Sequence, residues 1–172
     1  LARNTRLMII RPEAAEDIHS IRKLTNAAFL GVEHSSQTEG AIVDALREAA
    51  ALSLSLVAEK GSSILGHIGF SSVLIDGDDI GWFGLGPVSV SPCRQRSGVG
   101  SALVKEGLQA LTQRNAQGCV VLGDPTYYSR FGFTSDHALR YPGVPAEYFQ
   151  SLVLTGKPAA GEVSYHAAFG AT

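Results

Sequence analysis

The chain has 172 residues, 45% hydrophobic and 17% charged, with a formal net charge of −2 at pH 7. That length fits one domain, 1–172, with a sizeable core, and the slight negative charge argues against a general nucleic-acid or membrane-surface binder, which needs a basic field. No apolar run approaches the ~20 residues that cross a bilayer, the N-terminus lacks a signal-peptide pattern, and Cys93 and Cys119, outside any CxxC pair, fit a reducing, cytoplasmic setting.

Leu7–Arg11 is a short apolar run stopped by Pro12 and reads as a first strand. From Ala14 to Phe29, the apolar residues Ile18, Ile21, Leu24 and Ala28 recur at near-helical spacing. Gly31–Gln37 is the following loop. Ser36 with Glu39 three residues on is a capping-box signal for a second helix to about Ala50. Ser53–Val57, Ile64–Ile75 and Ile80–Val90 are strand patterns joined by KGSS and DGDD turns. Connections this short predict an antiparallel meander. Segment 98–114 is helical, with Gly100, Leu103, Val104, Gly107, Leu108 and Leu111 on one face and Gly118 as its stop. Cys119–Leu122 is a short apolar strand, and a helical crossover makes it a parallel neighbour of the strand before.

A turn and short helix follow from Asp124, and Phe133 opens another strand. The stretch from His137 to Phe149 is irregular, and Val163, Tyr165, Ala167 and Phe169 alternate as a half-buried strand. The fold class is α/β with a mixed sheet. His19, His34, His67, His137 and His166 show no metal-ligand spacing, so no metal site is expected.

Gly98-Val99-Gly100 opens a helix shortly after a strand. Small residues there let a diphosphate approach backbone N–H groups, and the helix N-terminus adds about half a positive charge. A dinucleotide GxGxxG would need glycine at position 103, which is Leu103, and a P-loop would end in Gly-Lys-Ser/Thr. The plainer alternative is that both glycines only permit close helix–sheet packing. Pro87 removes a ladder donor within Ile80–Val90 and marks a bend. If the strand diverges there, Val88 and Val90 keep unpaired backbone groups that can receive an extended, amide-containing ligand. Two amides followed by a diphosphate describe the pantetheine arm of coenzyme A.

These residues carry a family resemblance. Gln95-Arg96-Ser97-Gly98-Val99-Gly100 resembles the Gln/Arg-x-x-Gly-x-Gly/Ala motif of the GCN5-related N-acetyltransferase (GNAT) superfamily. YYSRFGF is similar to its aromatic-Tyr-x-x-apolar-Gly-Phe signature, and the order β, α, α, three antiparallel strands, α, β, α, β matches over 7–169. GDPTYYSRFGF and YPGVPAEYF further resemble a bacterial branch of predicted acetyltransferases. The resemblance implies a central mixed sheet, flanked by helices, with splayed fourth and fifth strands (Ile80–Val90 and Cys119–Leu122). It implies acetyl-CoA as co-substrate, with backbone groups of Val88 and Val90 on pantetheine. The amides of Arg96, Ser97, Gly98, Val99, Gly100 and Ser101 would hold the diphosphate, and Arg94 or Arg96 could pair with phosphate. Tyr128 falls at the position of the acid that protonates the departing thiolate, and Tyr127 reads as a packing aromatic. A homodimer would suit the family.

The implied activity is N-acetyl transfer to a primary amine, by direct transfer in a ternary complex. An alkyl ammonium of pKa near 10.4 is neutral only about once in 2,500 molecules at pH 7, a deficit of about 4.6 kcal/mol, so a base is needed. Many relatives carry one on the fourth strand, but IGWFGLGPVSV has no titratable side chain. Glu33 and His34 in the helix-connecting loop, His67, Asp124 and water remain the alternatives. Asp124 falls near where many relatives place an asparagine, in a connection too short to hold it. The empty strand also leaves open a non-catalytic acyl-CoA sensor on the same fold. Small-molecule and peptide amines are both open as acceptors.

Overall fold

The computed structural model describes residues 7–172. β1 (Ile9–Pro12) leads through a 3-10 turn at Ala15–Asp17 into α1 (Ile18–Phe29) and α2 (Glu39–Glu48). There follow β2 (Leu54–Lys60), β3 (Ser63–Ser72), the two-residue β4 (Leu74–Ile75), β5 (Trp82–Val90), α3 (Val99–Gln113) and β6 (Gly118–Leu122). The last third holds α4 (Pro125–Tyr128), β7 (Leu139–Arg140), β8 (Phe149–Val153) and β9 (Gly161–Ser164). The main sheet runs β1-β2-β3-β5-β6-β8, and a small second sheet runs β4-β9-β7. Within the main sheet only β5–β6 is parallel, and the α3 crossover joins that pair.

Alternation along β2 decides what each face of the sheet holds. Leu54, Leu56 and Ala58 enter the core with Phe70 and the α3 residues Leu103, Leu108 and Leu111. Val57 points the other way, onto Ile21 of α1 and Val43 of α2. The sheet is therefore sandwiched between α3 and the α1–α2 pair. Leu103 and Leu111 are fully buried, each worth about 1.5–3 kcal/mol relative to exposure. Gly107 lets α3 lie close, since a Cβ there would stand 2.4 Å from the Phe70 ring. No helix among the described residues is long and apolar enough to cross a membrane.

Several local expectations change. The capping box of Ser36 and Glu39 does not form. Thr38 is the N-cap without a side-chain cap bond, Ser36 Oγ meets Thr38 Oγ1 at 2.5 Å, and Glu39 takes the hydroxyl of Ser35 instead. Helix α3 stops at Gln113, and Asn115, with φ of +60°, turns the chain in the left-handed region. Gly118 instead opens β6, where a Cβ would meet the Trp82 ring at 2.4 Å. Phe133 is buried in the core but opens no strand; only an isolated bridge joins Thr134 to Ser151. The strand beside β6 is β8, from a stretch without a clear pattern, whose buried Gln150 donates from Nε2 to the Gly123 carbonyl at 3.1 Å. The tail strand ends at Ser164, and a 3-10 turn occupies Ala167–Gly170.

Candidate active site

The β5–β6 ladder pairs Trp82 with Gly118 through Leu85 with Val121, and then stops. Two residues of β5, Gly86 and Pro87, stand opposite the single Gly69 of β3, since Ile68 pairs with Val88 and Phe70 with Leu85. This bulge bends β5 away from β6 while it stays on β3. Ser91 N–H donates to the Leu65 carbonyl at 2.8 Å. By antiparallel alternation Ser89 also bonds to β3, so the N–H and C=O of Val88 and Val90 face the side that β6 has left. Gln95 folds back onto that edge, donating from Nε2 to the Val90 carbonyl at 3.2 Å. The divergence expected at Pro87 is present.

The open edge leads to the start of α3. Arg96 has φ of +62° and Gly98 of +88°, so the loop coils through the left-handed region twice before the helix. Ser97 Oγ bonds the Arg94 carbonyl across the turn. Ala102 N–H is bonded to the Gly98 carbonyl at 3.0 Å, which leaves the amides of Val99, Gly100 and Ser101 as first-turn donors without helical acceptors. A Cβ on Gly98 would meet nothing within 4 Å. Its glycine therefore serves backbone conformation and an open approach, not helix–sheet packing. A Cβ on Gly100 would stand 3.3 Å from Tyr127 Oη, and that hydroxyl also lies 3.3 Å from Ser101 Oγ. Tyr127, expected as a packing aromatic, thus also places a polar group at the helix start, and Arg130 covers its ring at 4.5 Å. Arg94 and Arg96 are exposed at the rim.

Tyr128 borders a cavity of about 470 Å³ at the end of the β5–β6 ladder, shared with Leu85–Val88, Gly123 and Asp124. Gly123 makes room for the ring, since a Cβ there would come 2.4 Å from it, and Phe133 packs edge-on at 5.9 Å. Burial raises the phenol above its ordinary pKa, with smaller contributions from Tyr127 and Cys119, so the proton stays on at neutral pH. Among the described residues no base on β5 faces this group; the strand carries only Trp, Phe, Gly, Leu, Pro, Val and Ser.

The base candidates separate clearly. Glu33 and His34 face each other at 3.6 Å with side chains 89% and 90% exposed, away from the cavity. His67 is fully buried on the α1–α2 face, with Nε2 2.8 Å from Ser55 Oγ. Ser55 donates to Glu13 at 2.8 Å, and Glu13 is paired with Arg47 at 2.9 Å. Burial above all lowers the His67 pKa to about 4, so the ring is neutral. Asp124 does border the cavity, but its Oδ1 caps α4 by accepting from Thr126 N–H at 2.8 Å. Glu39, read from sequence only as a capping residue, borders the cavity as well. The spacing to Ser36 hid it; its place in the first turn of α2, after the loop at the end of α1, is what brings it here.

Comparison with known proteins agrees with this geometry. A family model described as an acetyltransferase (GNAT) domain matches residues 9–135. The chain is 36% identical over 146 residues to the uncharacterized N-acetyltransferase YhbS of Escherichia coli K12, covering 82% of this chain and 84% of that one. It resembles the crystal structure of a GNAT family acetyltransferase from Brucella melitensis in complex with acetyl-CoA, with 51% identity, a TM-score of 0.86, and 95% and 99% of the two chains covered. It also resembles Escherichia coli YhbS in complex with CoA, at 34% identity and a TM-score of 0.88 over 99% and 95%. The chain belongs to the GNAT acetyltransferase family.

Proposed function

We propose that this protein is an acetyl-CoA-dependent N-acetyltransferase acting on a primary amine by direct transfer in a ternary complex. The observation that carries the reading is the end of the β5–β6 ladder at Leu85, with the edge of Val88 and Val90 that no strand covers leading to the free amides of α3. An extended pantetheine arm is accommodated there as a substitute strand. The diphosphate then meets Arg96–Ser101, where the N–H groups and helix dipole favour negative charge. The two relatives crystallised with acetyl-CoA or CoA support the same co-substrate.

In the transfer the amine nitrogen forms a bond to the thioester carbonyl carbon, and the carbon–sulfur bond breaks. An acceptor arriving as an ammonium loses one proton before attack and a second as the amide forms. The departing sulfur takes up one, so one net proton reaches solvent. Tyr128 Oη supplies the hydrogen bond that steadies the developing thiolate and then its proton, regained from solvent. The same burial that raises the phenol raises a thiolate bound beside it, which keeps the two matched.

The test joins two measurements on the whole chain. Calorimetry with acetyl-CoA is expected to give saturable binding, and thiol release with a panel of amines is expected to give turnover with at least one. Binding without turnover across the panel would favour an acyl-CoA sensor. No binding at all overturns the reading.

A further inference from the structure

The cavity beside Tyr128 has a second wall of a different character. Phe29 from α1, Glu39 from α2, and Tyr141, Tyr165 and Phe169 from the C-terminal segment line it together. The aromatic rings form a connected run, with Tyr141 edge-on to Tyr165 at 5.3 Å and Tyr165 to Phe169 at 5.0 Å. Gly84 on β5 permits this, since a Cβ there would stand 2.5 Å from the Tyr165 ring. Among the described residues no lysine, arginine or histidine borders the cavity.

Two polar atoms on this wall are buried without a partner. Glu39 Oε1 accepts from Ser35 Oγ at 2.6 Å, but Oε2 has no donor, and Tyr165 Oη has no partner either. A carboxylate oxygen left unpaired out of water carries a free-energy penalty that an arriving donor removes. The terminal torsion of a glutamate is broad, so a modest rotation presents Oε2 to the cavity. Asp124, the other acid at this cavity, already spends an oxygen on its helix cap.

We infer that this cavity is the acceptor site, that it takes a singly charged primary amine carried on an apolar or aromatic body, and that Glu39 is the residue that receives the ammonium. The inference rests on the acetyltransferase reading and adds the acceptor class to it. A carboxylate orients the nitrogen, while the rings take the body and attract the cation through their faces. Polyamines and aminoglycosides do not fit. Their further ammonium groups would leave water with only Asp124, already bound to Thr126 N–H, to meet them.

The test uses 2-phenylethylamine, its uncharged analogue 2-phenylethanol, and spermidine, each titrated into the whole chain by calorimetry without acetyl-CoA. Phenylethylamine is expected to bind at least tenfold more tightly than phenylethanol or spermidine. Glu39→Gln is expected to raise its Kd, and its KM in the acetylation assay, at least tenfold, while acetyl-CoA affinity stays within twofold; Glu39→Asp should recover part of the loss. Equal binding of amine and alcohol, preference for spermidine, or an unaffected Glu39→Gln protein each overturns the inference. The comparison of ligands needs no variant, so a misfolded Glu39→Gln protein does not remove the test. Amine discrimination in a chain that binds no acetyl-CoA would sink the acetyltransferase reading and leave the amine site standing.

Discussion

Tyr128→Phe removes one oxygen and leaves the ring against Gly123 and Phe133. We expect turnover to fall about 10²-fold, the lower end for acid–base catalysis, with acetyl-CoA affinity largely kept. Steady-state kinetics beside calorimetry separates the two; a loss confined to affinity makes Tyr128 a packing residue. His67 sets a different expectation. Its pKa is about 4 when folded, against about 6.5 in an unfolded chain. Between those values the unfolded chain binds a proton that the folded one refuses, so its contribution is full above pH 6.5 and is lost as pH falls toward 4. The loss is on the order of 3 kcal/mol, and urea midpoints measured from pH 7 to 4 should fall accordingly. His67→Gln should flatten that slope; an unchanged slope would place the titrating group elsewhere. Glu13 sharpens the effect at the acid end. Burial opposes its charge, but hydrogen bonds from Arg47 and Ser55 outweigh that and hold the carboxylate below its usual range, so its share is lost only at lower pH still.

At the scale of elements, glycines of two kinds separate the cradle from the core. Gly98→Ala meets open space but must hold φ of +88°, which costs about 1–2 kcal/mol for an L-residue. We expect coenzyme A affinity to fall about tenfold, about 1.4 kcal/mol, in a protein that still folds. Gly107→Ala drives a methyl into the Phe70 ring and should cost about 1–3 kcal/mol in denaturant unfolding while leaving the cradle intact. The reverse pattern would assign the glycines wrongly. The sequence carried the meander, the parallel neighbour and the α3 face because each has a strict period that a local pattern records. Pro87 carried the divergence because a missing ladder donor is a local fact. Strand β8 escaped because its pairing with β6 spans a long loop and QSL mixes polarity, with Gln150 buried by one specific bond to Gly123. Glu39 escaped because Ser36 offered a local explanation, while its real neighbours, Tyr165 and Phe169, lie more than a hundred positions away. Glu33 and His34 are set apart from the cavity by exposure, and His67 by burial against Ser55.

Across the molecule, the short ladder is the only strand pairing among the described residues between the β1-β2-β3-β5 half of the main sheet and β6-β8. A ligand lying along Val88–Val90 bridges the halves where the protein does not. Acetyl-CoA at a hundred times its Kd should therefore stabilise the fold by about 2.7 kcal/mol and raise Tm by about 5–10 °C, read in a thermal scan against a ligand-free control. No rise at saturating acetyl-CoA would contradict binding in that gap. The opposite end of the same ladder is sealed by Trp82, the sole tryptophan, 2% exposed beneath Gly118. It stands on the order of 20 Å along β5 from Val88, at about 3.3 Å per residue, yet shares one core cluster with Tyr141 and Tyr165 of the cavity wall. The sole indole thus stands behind the amine wall. Indole emission should be blue-shifted, change when an amine fills the wall and move to the red on unfolding, and amine occupancy should register in the tyrosine absorption band as well.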